Sequence, residues 1–201
     1  MALKMNPRRP TVSRRIVVLG NIAAGKTTLT RELGKRLQIV PTELDEYGEK
    51  LGWEAYPLFA PIQEKLVSEE QWILDGIAFH QGLVDRVQAA NTVIFLDYSP
   101  KRCTFQLLKR NWGIFRHNRN QLPGNNFFSQ YFFMFCITIR LVFQIWRNHV
   151  VVRPQWHQLL STPRDKQIFY WDHPVRVCLN EIVVENDWQE TSWPMILAKR
   201  K

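Results

Sequence analysis

Ile16-Val17-Val18-Leu19-Gly20-Asn21-Ile22-Ala23-Ala24-Gly25-Lys26-Thr27-Thr28 is the stretch on which the fold turns. Gly20 to Thr27 fits G-x-x-x-x-G-K-[ST] at every fixed position, and its context is the one that pattern needs. A short β-branched run reads as a buried strand before it. Behind it a helix opens, with Leu29, Leu33 and Leu37 on one face. Glycines at 20 and 25 let the backbone turn tightly, so that successive N–H groups of Asn21, Ile22, Ala23 and Ala24 point inward at a phosphate. The positive end of the helix reinforces them. Lys26 reaches the terminal phosphates as a point charge, and the Thr27 hydroxyl ligates Mg²⁺. Gly20 to Thr28 therefore reads as a nucleotide-phosphate site, with ATP and Mg²⁺ the expected cofactors.

A chain of 201 residues suits one well-buried α/β domain better than two. Its 45% hydrophobic and 22% charged residues are ordinary for a soluble globular protein. Residues 1–13 read as a flexible basic arm, with Arg8 and Arg9 between Pro7 and Pro10, and no secretory apolar region follows. Cys103, Cys136 and Cys178 have no metal spacing and are odd in number, so they read as free thiols of a cytoplasmic protein. Charge is concentrated. Between Tyr98 and Arg164 there is no Asp or Glu but there are ten Lys or Arg, and the rest of the chain holds 17 basic and 18 acidic residues. The whole net charge of +9 thus sits in one span, which points to a polyanionic ligand.

Outward from the phosphate loop, strands at about 15–19, 39–45, 72–76, 92–97 and 167–171 alternate with helices at about 26–37, 61–69, 79–89, 100–110, 127–148 and 174–185. That alternation predicts a three-layer α/β fold with a parallel sheet. Residues 46–61 look irregular, broken by Gly48, Gly52, Pro57 and Pro61, and 111–126 looks like a basic loop. Asn126 is a cap for the aromatic helix 127–148, in which Phe128, Tyr131 or Phe132, Phe135, Ile139, Val142 and Trp146 follow helical spacing. Its longest strongly apolar stretch, Tyr131 to Ile139, is nine residues, where a span needs about 20. We therefore expect no transmembrane segment, and a helix packed on the sheet or on a partner chain such as a second copy, with an interfacial membrane helix, helped by the adjacent basic residues, as the alternative.

Strand-end carboxylates supply the remaining chemistry. Asp75 is placed to hold Mg²⁺ through water, with Asp97 a rival for that role. Asp45 ends the second strand beside the phosphate loop, where it binds or deprotonates an acceptor hydroxyl; Glu43 and Glu46 are alternatives. Tyr47, Trp53 and Tyr56 line the same region. Arg110, last on its helix, and Arg116 and Arg119 of a basic lid over about 111–126 are expected to close on the phosphates and supply transition-state charge.

The phosphate loop, then Glu43-Leu44-Asp45, Trp72-Ile73-Leu74-Asp75-Gly76, and Val93-Ile94-Phe95-Leu96-Asp97 with Arg110 thirteen residues on, resemble the adenylate-kinase-like P-loop kinases. Within that group the chain is most similar to proteins labelled DNA topology modulation protein, or FlaR-like. The resemblance covers about residues 15–125 and continues more weakly to 171. It implies strand order 2-3-1-4-5, Mg-ATP, a mobile lid and Arg110 on phosphates. It also implies that the loop at His173 and Pro174 lies near the adenine. One departure matters: no Arg closely follows Asp75-Gly76, where nucleoside monophosphate kinases carry one for the acceptor phosphate, and Arg86 stands further along.

The expected function is phosphoryl transfer from Mg-ATP to a small-molecule acceptor. Two other readings stay open: a nucleotide-dependent nucleic-acid-binding regulator, motivated by the basic span, and a P-loop NTPase that hydrolyses nucleotide without an acceptor. An N-K-x-D base-reading element is missing for a switch GTPase.

Overall fold

The computed structural model describes residues 14–76, 80–117, 123, 126–161 and 167–172. Five strands form one parallel sheet: β1 (Arg15–Gly20), β2 (Pro41–Glu43), β3 (Trp72–Asp75), β4 (Thr92–Leu96) and β5 (Gln167–Trp171). Their order is β2-β3-β1-β4-β5, as the sequence led us to expect. Alternation along β1 builds the layers. Ile16 and Val18 face one core with Leu29 and Leu33 of α1 (Lys26–Leu37), Cys103 and Leu107 of α5 (Pro100–His117), and Ile145 of α6 (Phe127–Arg147). Val17 and Leu19 face the other, with Leu44 of α2 (Leu44–Leu51), Phe59 of α3 (Tyr56–Ser68), Leu83 and Val87 of α4 (Leu83–Ala89), and Trp156 and Leu160 of α7 (Arg153–Ser161). Helices on both faces of a parallel sheet make three layers.

Register carries the site to one edge. Val18 pairs with Asp75, Glu43 with Asp75, and Gly20 with Leu96, so the phosphate loop, Asp75, Asp97 and the start of α2 all leave the carboxyl ends of neighbouring strands. Ligands of open α/β sheets bind at that edge.

Three expectations need correction. Asp45 does not end a strand: β2 stops at Glu43, and Asp45 lies in the first turn of α2. Residues 46–61 are largely helical: Gly52 caps the end of α2, and Pro61 lies inside α3. Pro57 occupies the start of α3, and the bare face of Gly48 accepts the Trp53 ring, which a Cβ there would meet at 2.7 Å. The basic segment after Arg110 does not begin as a loop. α5 continues to His117, held by Asn111, whose Nδ2 donates to Thr138 Oγ1 of α6 at 2.8 Å, and by Phe115, whose ring meets Phe127 and Tyr131.

The aromatic helix starts where predicted, with Asn126 Oδ1 accepting from the Ser129 N–H at 2.8 Å. It does not pack along its length, for Ile145 is its one buried residue. Through a π-helical turn, Asn148–Val152, it runs on into α7 as a 35-residue helix, long and apolar enough by length and composition to cross a membrane. The N-terminal arm 1–13, the helix expected at 174–185 and Cys178 lie outside the described residues.

Candidate active site

The phosphate loop adopts the backbone its glycines permit. Gly25 has φ +90° and serves as the N-cap of α1 without a side-chain hydrogen bond, so no side chain competes for the first-turn N–H groups. A Cβ on Gly20 would stand 3.0 Å from Leu96, which is why strand β4 can approach so closely. Inside the loop, Lys26 is nearly buried and its Nζ donates to the Asn21 carbonyl at 3.2 Å. Thr28 is exposed.

Asn21 does more than complete the loop. Its Nδ2 donates to the Ile145 carbonyl at 2.9 Å, and its Oδ1 accepts from the Ile22 N–H at 2.8 Å and from Asn148 Nδ2 at 3.3 Å. Its side chain therefore faces α6 and the π turn, while its backbone lines the loop. Lysine and asparagine from one short loop are thus held from inside and from outside.

Thr27 Oγ1 donates to Asp75 Oδ2 at 2.5 Å. Asp75 is 3% exposed, and its other oxygen, Oδ1, is buried with no hydrogen-bond partner among the described residues. Burial pushes the Asp75 carboxyl above the usual range; Lys26 and the Thr27 hydroxyl oppose that, and Asp45 and Glu43 add to it. A buried carboxylate with one free oxygen beside a phosphate-loop hydroxyl is the donor set a hydrated Mg²⁺ takes, so these residues fit the ion.

Asp97 is differently engaged. Arg153 of α7 grips both its oxygens, at 2.5 and 2.6 Å, and His157 Nε2 lies 3.3 Å from Oδ2. Its charge is spent on fastening α7 to the end of β4.

At the start of α2, Asp45 Oδ1 lies against Gly76: a Cβ on that glycine, whose φ is +116°, would approach it to 2.9 Å. Glu43 pairs with Arg31 at 2.7 Å. Arg86, which in sequence stands only at some distance from Gly76, pairs with Gln63. Arg86 is wholly buried, and its Nη1 donates to Gln63 Oε1 at 2.9 Å, whose Nε2 donates to the Gly82 carbonyl at 3.2 Å. Burial lowers the guanidinium to about 10, against the raising influence of Tyr56, Asp85 and Asp45. A signal for it exists in the sequence: Arg86 holds a core position between Leu83 and Ala90 in the spacing of α4. Cys103, another residue unassigned from sequence, is buried near Lys26 and its thiol is pushed up to about 11.

Lys26, Thr27, Asp75 and Asp45 are therefore brought to one edge of the sheet. Arg110 and Arg116 are exposed on α5, with no hydrogen bond or ion pair among the described residues. Arg119, His173 and Pro174 lie outside the described residues.

No family model matches this chain, and no curated protein does. Solved structures do. Shikimate kinase from Bacteroides thetaiotaomicron is 17% identical with a TM-score of 0.54, covering 86% of this chain and 98% of that one. Shikimate kinase from Acinetobacter baumannii in complex with shikimate is 16% identical at 0.50, covering 86% and 91%. Deoxyadenosine kinase from M. mycoides with bound dATP is 13% identical at 0.48, covering 86% and 99%. At these identities the two shikimate kinases show the fold alone: the chain has the α/β fold of P-loop kinases.

Proposed function

We propose that the protein transfers the γ-phosphoryl group of Mg-ATP to a hydroxyl of a small-molecule acceptor. The observation that carries the reading is the Thr27–Asp75 hydrogen bond beside Lys26, with Asp75 Oδ1 buried and free. Thr27 and Asp75 would hold the Mg²⁺, which would supply positive charge to offset that of the phosphates. The chain's own residues do the rest. Backbone N–H groups from Asn21 to Thr28 orient the phosphates, and Lys26, released from the Asn21 carbonyl, pairs with the terminal ones. Asp45 faces the acceptor, accepting a hydrogen bond from its hydroxyl and taking the proton as the oxygen attacks. Arg110 and Arg116 of α5, with Arg119, are the arginines we assign to contact with the phosphates, and His173 and Pro174 are the residues we assign to the adenine edge.

Fold neighbours that phosphorylate small molecules support this class, and hydroxylated rings or nucleosides head the acceptors to try. The sequence likeness to DNA topology modulation proteins names an effect and not a substrate, so it adds no acceptor of its own. ATP consumption with Mg²⁺ across a panel of nucleosides, nucleoside monophosphates, sugars and small hydroxy acids tests the proposal. An acceptor-dependent signal is expected. Turnover stimulated by DNA and by no member of the panel would overturn it.

A further inference from the structure

We propose that the α5–α6 pair is a docking surface for an anionic lipid bilayer, holding the kinase fold at a membrane surface without crossing it.

The first observation is an exposed apolar stripe that joins no core among the described residues. Phe128, Phe132, Phe135, Ile139, Phe143 and Trp146 are all exposed, from 43% to 76%. At 3.6 residues per turn they fall within about 80° of the α6 circumference. α5 adds a second stripe, Phe105, Leu108 and Trp112, spaced i, i+3, i+7 and also exposed. Rings join the two: Trp112 neighbours Phe115, which meets Phe127 and Tyr131, and those two stack. A continuous aromatic surface of this extent marks an interaction site.

The second observation, charge, selects the occupant. The span from Tyr98 to Arg164 holds no acid. Lys101 and Lys109 are exposed on α5 among its apolar side chains, and Arg140 and Arg147 are exposed beside the α6 stripe. Aromatic side chains interleaved with cations, and no anion, are the pattern that partitions into the headgroup region of anionic lipid. A second copy presenting the same face would bring like charges together.

Geometry separates lying on the bilayer from spanning it. The helices pack antiparallel, Phe115 against Phe127, Asn111 bonded to Thr138, and Leu107 in one cluster with Ile145. From Leu141 onward α6 packs on one face of the sheet, and Trp156 and Leu160 of α7 are buried in the core on the other. Only Phe127 to Ile139 projects beyond, about 20 Å of helix against a hydrocarbon core of about 30 Å. The apolar face can enter the interface while the domain stays folded.

Flotation of the full chain with phosphatidylcholine vesicles, with and without phosphatidylserine, tests this. Binding is expected to the anionic vesicles, falling at high salt. Phe132→Ser with Phe135→Ser should weaken it about tenfold or more, with thermal unfolding unchanged because both sites are exposed. Arg140→Gln with Arg147→Gln should weaken it about 30-fold. Absence of vesicle binding, or binding that neither pair of substitutions alters, overturns the proposal. So does a concentration-dependent dimer that the Phe pair dissociates, or DNA binding in place of vesicle binding that only the Arg pair weakens. ATP turnover is measured separately, so failure of the membrane proposal and failure of the kinase reading are distinguishable.

Discussion

Asn21, inside the phosphate loop, donates a 2.9 Å hydrogen bond to the main-chain carbonyl of Ile145, 124 residues later in the chain. The bond fastens the loop to the end of the long aromatic helix, just before its π turn, and Asn148 closes the contact from the other side. The loop's shape thus depends on a segment far away in sequence. Asn21→Ala would leave the buried Asn148 amide and the Ile145 carbonyl without this partner. We expect a loss of about 1–3 kcal/mol in stability, read by urea unfolding, and weaker ATP binding by calorimetry because the loop is less pre-organised.

Asp75 and Asp97 both end strands, yet only Asp75 bonds Thr27, while Asp97 is clamped by Arg153. Asp97→Asn should therefore preserve turnover within a few-fold and cost about 1 kcal/mol. Asp75→Asn should abolish turnover. Steady-state kinetics of the two variants side by side check the assignment.

The raised Asp75 pKa also has a sign for stability. A native carboxyl that holds its proton more tightly than the unfolded one makes the ligand-free protein lose stability as pH rises from the unfolded value through the folded one. Its ionised form at neutral pH is a cost. Asp75→Asn should raise the melting temperature of the ligand-free protein near neutrality, by about 2–4 °C per kcal/mol recovered, and the gain should vanish at acid pH. Thermal scans at two pH values read it.

Gly76 keeps Asp45 in place. A methyl at residue 76 would meet Asp45 Oδ1 at 2.9 Å on a backbone of φ +116°. Gly76→Ala should displace the carboxylate and lower kcat about 100-fold, leaving ATP affinity nearly unchanged. Equal losses in both would detach Asp45 from the acceptor.

Local patterns carried much of this in the sequence. The apolar run Ile16–Leu19, the loop pattern and Leu29/Leu33 announced β1, the loop and α1, because strand, turn and helix each leave a short-range mark. Strand order came from the family resemblance. Where the reading failed, the deciding partner was distant or the breaker was tolerated. Asp45 looked like a strand end because β2 is only three residues long before α2 begins. The basic segment 111–126 looked like a loop, but nothing crowds Gly113 and Asn111 ties α5 to Thr138. The Arg153–Asp97 pair joins residues 56 apart, and no local period announces it. Arg86 was visible as a charge in a core spacing and was judged by its distance along the chain from Gly76, while the fold buries it against Gln63.

The most direct measurement follows the γ-phosphoryl group itself, using ATP labelled at that position with the acceptor panel and Mg²⁺, for the native protein and Lys26→Ala. The account predicts label on an organic acceptor with the native protein, and none with the variant. Label released only as inorganic phosphate, or transfer undiminished in Lys26→Ala, would contradict it.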